Sequence, residues 1–404
     1  MTARRAVIRR ALVAAAGLAL PLSRASAKTR PLRVGVLTDL SGDGADASGS
    51  GSVEAARLAA EEVGSGATGR RIEIVFADHR QSAATARQVV GGWIDTGGVS
   101  AVASLPDAAI GAVVQRLCHD SGRIALFSGF ASLALSNAAC SPTGFQWTCD
   151  AYSVARALGQ AVTKAGGDRW FLLIGDDPDS RVLGDALATA LREAGAAIRG
   201  SSTQAAGAGD VTARLRMAGA SGAHIVALCL PPQEAGRAIL RARAGGLAAG
   251  QLVAAPTVTL TDVNRLGLAA AEGVLLAEAF YWNTDEASRA WSRQFFRRTG
   301  RMPGPYQIGT YEAVRHYLLA YGASATGAAA DVARRMRYAP IESPFSHGAR
   351  IRADGRVLRS MRVEHVKSPA QSVGPWDDLS LDRIVTEESL VWPSTASTCR
   401  LLEG

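Results

Sequence analysis

The sequence predicts an α/β protein of two lobes, each a doubly wound parallel sheet. Three observations lead there. The chain has 404 residues, too many for one ordinary hydrophobic core and suited to two. From residue 33 onward, short β-rich runs alternate with helical stretches, and strand–helix–strand units in series build a parallel sheet covered on both faces. The alternation pauses over a Ser-, Asn-, Pro- and Gly-rich stretch, 130–150, and then restarts.

In the first lobe the strands are "RVGVLTDL" (33–40), "RIEIVFAD" (71–78), "VSAVASL" (99–105) and "RIALFSG" (123–129). They are rich in β-branched residues and bounded by Gly, Asp and Ser. Helices are expected at 52–64, 83–95 and 107–120. A loop as long as 130–150 is usually functional or a linker. The second series has a helix near 152–166, the strand "RWFLLIGD" (169–176), a helix at 181–194 and "AIRGSST" (197–203). A helix at 210–219, "HIVALCL" (224–230), a helix at 232–245, "LVAAPTV" (252–258) and "GVLLAEAFY" (273–281) complete it. Helices then follow at 285–299, 308–323 and 329–338. "ARIRADGRVLRSMRVEHV" (349–366) reads as a hairpin turning at Asp354–Gly355. The tail from 368 reads as irregular.

Composition narrows the function. Apolar content of 48% and charged content of 20% fit a folded soluble chain. The formal charge of +8 looks basic, but Arg4, Arg5, Arg9, Arg10 and Arg24 supply five of it within the first 27 residues, leaving +3. No basic run is interleaved with aromatics, so no nucleic-acid partner is expected. Residues 1–27 read as an export signal: the basic "MTARRAVIRR", the 12-residue apolar run "ALVAAAGLALPL" and the cleavage site "ASA" ending at Ala27. The apolar run is too short to span a bilayer, which takes about 20 residues. Arg4–Arg5 resembles a twin-arginine signal; an ordinary secretory signal is the alternative. Lys28 would follow the cut, so no lipid anchor is expected, and the mature protein should be soluble and outside the cytoplasm.

Five cysteines meet that oxidising compartment. Cys118 and Cys229 sit in core-like patterns and read as inert. Cys140 could pair with Cys149 or with Cys399. The Cys140–Cys399 bridge is preferred, because a loose tail gains most from being tied down. No cysteine spacing suits zinc.

The stretch "RVGVLTDLSGDGADASGSGSVEAARLAAEEVG" (33–64) resembles a phosphate grip in shape. Its helix is amphipathic, with Val53, Ala56, Ala60 and Val63 on one face and Glu54, Arg57 and Glu61 on the other. Ser52 could cap it. The helix start presents N–H groups and the positive end of a dipole. A dinucleotide fingerprint would need a third glycine where Glu54 stands, and the P-loop pattern is absent. Asp39, Asp43 and Asp46 add negative charge. The loop is therefore expected to close over a small polar or organic ligand rather than a phosphate.

Several pieces together resemble a known family. They are "VGVLTDLSG" with "GSGSVEAARLAAEEVG", "IVFADHRQSAATA", "ALFSGFASLALSN", "GDRWFLLIGDD", "LAEAFYWN", "GRMPGPYQIGTYEAVRHYLLA" and "IRADGRVL", spanning 31–367. The chain resembles the type I periplasmic binding proteins, and among them the branched-chain amino-acid-binding (Leu/Ile/Val-type) family of ABC-transporter substrate-binding proteins. The resemblance implies two lobes, 28–149 plus 283–343 and 151–279 plus 346–367, with a tail at 368–404. A multi-strand hinge would cross near 149–151, 279–283 and 343–346. A ligand would sit in the cleft at the carboxyl ends of the strands, and the lobes would close on it.

Mapped onto this chain, the resemblance implies first-lobe contacts from Asp43 and Asp46, from Ser104, Asp107 and Ala108, and from Phe130, Ala131 and Ser132. The second lobe would contribute Tyr152, Ser180, Arg181, Pro231 and Thr257. The hinge would add Phe280, Tyr281 and Trp282, of which one or two should face the cleft. Three departures stand out. The acidic residue that pairs an amino acid's ammonium is replaced by Pro256–Thr257–Val258. Ser180 and Arg181 stand where relatives carry an aromatic and a glycine. Gly44 replaces an aromatic. Arg181 could clasp a ligand carboxylate or be a solvated surface arginine. The expected ligand is an amino acid, an aromatic or another carboxylate-bearing compound, and the expected partners are the membrane subunits of an ABC importer.

No cofactor or metal is expected, and the protein is read as a monomer. The histidines at 79, 119, 224, 316, 347 and 365 are scattered, and no nucleophile elbow or H-E-x-x-H motif occurs. An enzyme would need an acid, base or nucleophile arrangement that is not found. A sensing protein of the same fold, signalling to a membrane receptor, is the alternative to transport.

Overall fold

The computed structural model describes residues 30–103, 108–130, 132–204 and 211–403. The expected export signal, Ser104, Asp107 and Ala131 lie outside the described residues.

The first lobe contains β1 (Leu32–Thr38), α1 (Gly49–Thr68), β2 (Ile72–Asp78), α2 (Ala83–Asp95), β3 (Val99–Ala103), α3 (Ala108–Asp120), β4 (Ile124–Phe127) and β5 (Gly144–Gln146). Its sheet is parallel throughout, in the order β2-β1-β3-β4-β5, with Leu32 to Thr38 pairing in register with Ile72 to Asp78. Helices on both faces explain why β1 is almost continuously apolar. At Gly35 a Cβ would come within 2.5 Å of the Trp93 ring, so glycine lets α2 lie flat on β1.

The second lobe follows with α4 (Ala151–Lys164), β6 (Arg169–Gly175), α5 (Pro178–Glu193), β7 (Ala197–Gln204), α6 (Val211–Ala220) and β8 (Ile225–Cys229). Next come α7 (Pro232–Arg241), β9 (Leu252–Ala254), α8 (Leu260–Leu266), α9 (Leu268–Ala271) and β10 (Leu275–Glu278). The chain then returns to the first lobe with α10 (Glu286–Thr299), α11 (Pro305–Ala323), α12 (Ala329–Tyr338), β11 (Ile341–Ser343), β12 (Ser346–Ile351) and β13 (Val357–Leu358). It ends with β14 (Met361–Val366) and β15 (Leu379–Val385), which extend the second sheet to β15-β14-β10-β9-β8-β6-β7. Each sheet is packed on both faces: α1, α10, α11 and α12 against α2 and α3 in the first lobe, α4 and α5 against α6 to α8 in the second. Trp147, Trp170, Tyr311 and Tyr317 are almost wholly buried, each large apolar side chain contributing roughly 1.5–3 kcal/mol.

The structure departs from the sequence expectation in four places. Helix α1 begins at Gly49, not near Ser52, because the loop winds through turns (Ala45 N–H to Gly42 O, 3.1 Å; Ala47 N–H to Gly44 O, 3.1 Å) straight into it. The loop 130–150 hides β5, whose three residues are too few to show alternation. The expected hairpin over 349–366 is split. β12 and β13 pair across the Asp354–Gly355 turn and pack on the first lobe through Ile351 and Val357, whereas β14 leaves to pair antiparallel with β10. The third passage between lobes therefore lies at Arg359–Ser360 and not near 343–346. The tail is not irregular throughout, since β15 pairs antiparallel with β14.

From β15 the tail turns back to the first lobe, where Cys399 is disulfide-bonded to Cys140, the preferred pairing. Asn137 Oδ1 accepts from Thr398 N–H at 2.7 Å and from Ser397 Oγ at 3.0 Å. Cys118, Cys149 and Cys229 are free and buried, and burial pushes their thiols up to about 12, which keeps them unreactive. Among the described residues no helix is long and apolar enough to cross a membrane.

Candidate ligand cleft

A cavity of about 510 Å³ opens between the lobes, at the carboxyl ends of the strands. Its first-lobe wall is the loop after β1 (Asp39, Asp43, Gly44, Asp46), the turn after β2 (His79, Gln81), Phe130 after β4, and Tyr306 in the first turn of α11. Its second-lobe wall is the start of α5 (Asp177, Asp179, Ser180, Leu183), Leu230 to Pro232 after β8, Thr257, and Asp262 and Arg265 of α8. The segments that follow parallel strands converge here because the strands all point the same way.

The glycine-rich loop is organised by an anion of its own. The Asp39 carboxylate accepts the backbone N–H groups of Gly42 at 2.6 Å, Gly44 at 2.9 Å and Ser41 at 3.3 Å, and Gln81 Nε2 at 3.0 Å. The donors a phosphate would use are thus engaged by a side chain. Burial works to raise the Asp39 carboxyl, but the hydrogen bonds from Gln81 and the loop outweigh it and hold it below the usual value. Gln81 is aimed by an unusual turn: Arg80 and Gln81 both adopt positive φ, 50° and 52°, and Gln81 N–H donates to His79 Nδ1 at 3.0 Å. Non-glycine residues held in this region cluster at ligand-contacting loops. Gly44 lies close over Asp39, where a Cβ would sit 3.1 Å from a carboxylate oxygen.

On the other wall Asp177 caps α5, its Oδ1 accepting Ser180 N–H at 2.9 Å. Thr257 Oγ1 donates to Leu230 O at 2.7 Å, tying two loops of the second lobe. Asp262 closes a capping box with Thr259, accepting its N–H and its hydroxyl, each at 3.0 Å, and accepts Arg265 at 2.8 Å. Burial raises the Asp262 carboxyl, partly offset by those bonds and reinforced by Asp46 across the cleft. Asp46 is itself paired with Arg301 at 2.5 Å.

Of the expected contacts, Asp43, Asp46, Phe130, Ser180, Pro231 and Thr257 line the cavity. Ser132 does not; it caps a 3-10 turn, accepting Ala134 N–H at 3.3 Å. Tyr152 packs edge-on against Trp392 of the tail, 5.2 Å between ring centres. Arg181 is 58% exposed and bonded to Asp176. Phe280 and Tyr281 are buried in the two lobes' cores, and Trp282 Nε1 donates to Trp376 O at 2.9 Å. Strand β10 ends at Glu278, so period-two alternation no longer governs where these rings point.

Residues not singled out from the sequence as contacts also line the cavity: Asp39, His79, Gln81, Asp177, Asp179, Asp262, Arg265 and Tyr306. Tyr306 supplies an aromatic wall from a different element than the one vacated at Gly44; desolvation by the surrounding protein raises its hydroxyl well above the ordinary value. Its only sequence signal was its place in "GPYQ", at the proline-marked start of a helix.

A family model described as periplasmic binding protein matches residues 31–371. Among solved structures, a periplasmic binding protein from Burkholderia mallei is 28% identical, with a TM-score of 0.84 over 92% of this chain and 99% of that one. A branched chain amino acid ABC transporter periplasmic ligand-binding protein from Burkholderia xenovorans LB400 is also 28% identical, with a TM-score of 0.87 over 92% of this chain and 100% of that one. A solute-binding protein from R. palustris in complex with benzoate shares the fold at 15% identity, TM-score 0.77, over 92% of this chain and 99% of that one. A search of curated proteins gives no match.

Proposed function

The chain belongs to the periplasmic binding protein family, and on that premise we propose that it captures a small organic ligand between its lobes by hinge closure and delivers it to an ABC importer. One observation carries this reading: the cavity draws its walls from both lobes at once, so a ligand held there joins them. The three passages between lobes, after β5, after β10 and between β13 and β14, are short enough to act as hinges. Closure would bury the ligand and present a surface that exists only in the loaded state, which is what an importer must recognise. In this reading the chain is exported, cut after Ala27, and performs no chemistry of its own.

The test is a thermal-shift screen of the mature protein, residues 28–404, against amino acids, amines, carboxylates, amides and polyols, followed by small-angle scattering with any hit. A true ligand raises stability by about 2.7 kcal/mol at a hundredfold excess over Kd. It should also reduce the radius of gyration. Silence across the screen, or binding without compaction, would remove the clamp reading.

A further inference from the structure

The cavity has a marked charge imbalance. Six aspartates line it, Asp39, Asp43, Asp46, Asp177, Asp179 and Asp262, against one arginine, Arg265, and one imidazole, His79. Arg265 is already spent on Asp262. Arg301 at the rim neutralises Asp46. Arg181, the side chain best placed in sequence to receive a carboxylate, is engaged outside by Asp176. The internal segments outside the described residues, 104–107, 131 and 205–210, contain no Lys, Arg or His, so they cannot reverse the balance.

The hydrogen-bond inventory points the same way. Donors on the cavity wall are largely turned inward: Ser41, Gly42, Gly44 and Gln81 to Asp39, Ser180 N–H to Asp177, Thr257 to Leu230 O. One acceptor is left over: Asp177 Oδ2 has no hydrogen-bond partner among the described residues, a costly state for a carboxylate oxygen, although it lies against Gly175 and is not itself open to the cavity. Helix starts at the cleft oppose this only weakly. Their partial charge is about half a unit each; Asp177 caps α5 and Asp262 completes the capping box of α8 with Thr259, whereas α7 and α11 start without a charged cap. The apolar part of the wall includes the rings of Phe130 and Tyr306, and aromatic faces attract cations.

We infer that the cleft takes a ligand bearing a cationic group in excess of any anionic one, an organic amine or ammonium compound, and rejects simple organic anions. This rests on the capture reading above, and it narrows the ligand that the sequence pointed to. A cleft lined by one sign of charge also concentrates the opposite sign and speeds its arrival.

The experiment compares shape-matched probes of different charge by thermal shift and calorimetry: leucinamide, leucine and 4-methylpentanoate, then benzylamine and benzoate. Within each series the amine should bind most tightly, and its affinity should fall as salt is raised from low to physiological ionic strength. Asp43→Asn and Asp177→Asn should each weaken the amine about fivefold. Asn preserves the α5 cap, so Asp177→Asn should fold normally, and exposed Asp43 gives an independent second variant. An anion that binds as tightly as its amine, indifferent to both variants, overturns the charge assignment and leaves ligand capture standing. Silence from every probe and from the broader screen overturns capture, and the charge assignment with it.

Discussion

The hinge and the cleft are neighbours along the same crossing segments, yet they handle charge in opposite ways. At the hinge, Glu312 of α11 is wholly buried and accepts Trp147 Nε1 at 3.0 Å, Arg359 at 2.9 Å and the Ser343 hydroxyl. The Arg359 guanidinium also lies 4.2 Å from the centre of the Phe280 ring. Glu312 and Arg359 together thereby join side chains of all three passages between the lobes, Trp147, Phe280 and Arg359 itself. Arg356 binds Thr148 O and, at 3.1 Å, Ser153 Oγ, beside Asp150 at 3.7 Å. Every hinge ion named here has a counter-ion, although the Nε of Arg356 and of Arg359 has no hydrogen-bond partner among the described residues. In the cleft the acids outnumber the cations and one carboxylate oxygen has no donor. Paired buried charges fix how segments meet; surplus charge around a cavity is left for what enters it.

The sharpest way to break this comparison is Glu312→Ala. Removing one partner of a buried pair strands the other, and we expect a loss of about 3–5 kcal/mol in urea unfolding. The pair Glu312→Leu with Arg359→Met should recover much of that loss, since neither charge is then buried alone. A loss below 1 kcal/mol for Glu312→Ala, a threshold set by the worth of an exposed pair at about that size, would mean the hinge ions are not structural.

Asp39 stands between the two cases: a cleft residue that behaves like a hinge ion. Asp39→Ala should cost about 2 kcal/mol, the scale of hydrogen bonds to a charged group, and should loosen the loop from 41 to 48. Its folded pKa is depressed, so its stabilisation is complete above the ordinary carboxylate pKa and is lost as pH falls through the lower, folded value. Unfolding of wild type and variant at pH 7 and pH 2 checks this. The gap between them should be widest at pH 7 and should shrink in acid; a constant gap would show that the loop donors do not depend on the charge.

Much of the fold was legible because strand–helix alternation repeats and β-branched runs mark buried parallel strands. What was missed had little signal of its own. β5 has three residues, and β15 is an edge strand whose outward Ser380, Asp382 and Arg383 break any apolar pattern. The split at Arg359–Ser360 was hidden because β13 and β14 form one continuous run and differ only in their partners. At the site, residues on segments that follow strands (Asp43, Asp46, Phe130, Pro231 and Thr257 on loops, Ser180 in the first turn of α5) are reachable from position along the chain. Tyr306, Asp262 and Arg265 come from helices that only the three-dimensional fold brings to the cleft. From the sequence Asp39 reads as an obstacle to phosphate; its role as the loop's internal anion is visible only in the distances.

The smallest expected effect is the most discriminating for the cleft. Arg181 follows Ser180, which lines the cavity, and about 100° of helical rotation separates a clasp for a ligand carboxylate from a surface ion pair. Its side chain is 58% exposed and bonded to Asp176 on the outer side of the α5 start. An exposed pair of this kind contributes about 0–1 kcal/mol. Arg181→Ala should therefore change the melting midpoint little and leave amine binding unchanged or slightly stronger, because one distant positive charge is removed. If Arg181→Ala instead abolishes binding of a carboxylate probe such as benzoate, the arginine must swing inward on closure, and the surplus of acid that separates cleft from hinge would be smaller by one charge in the closed state.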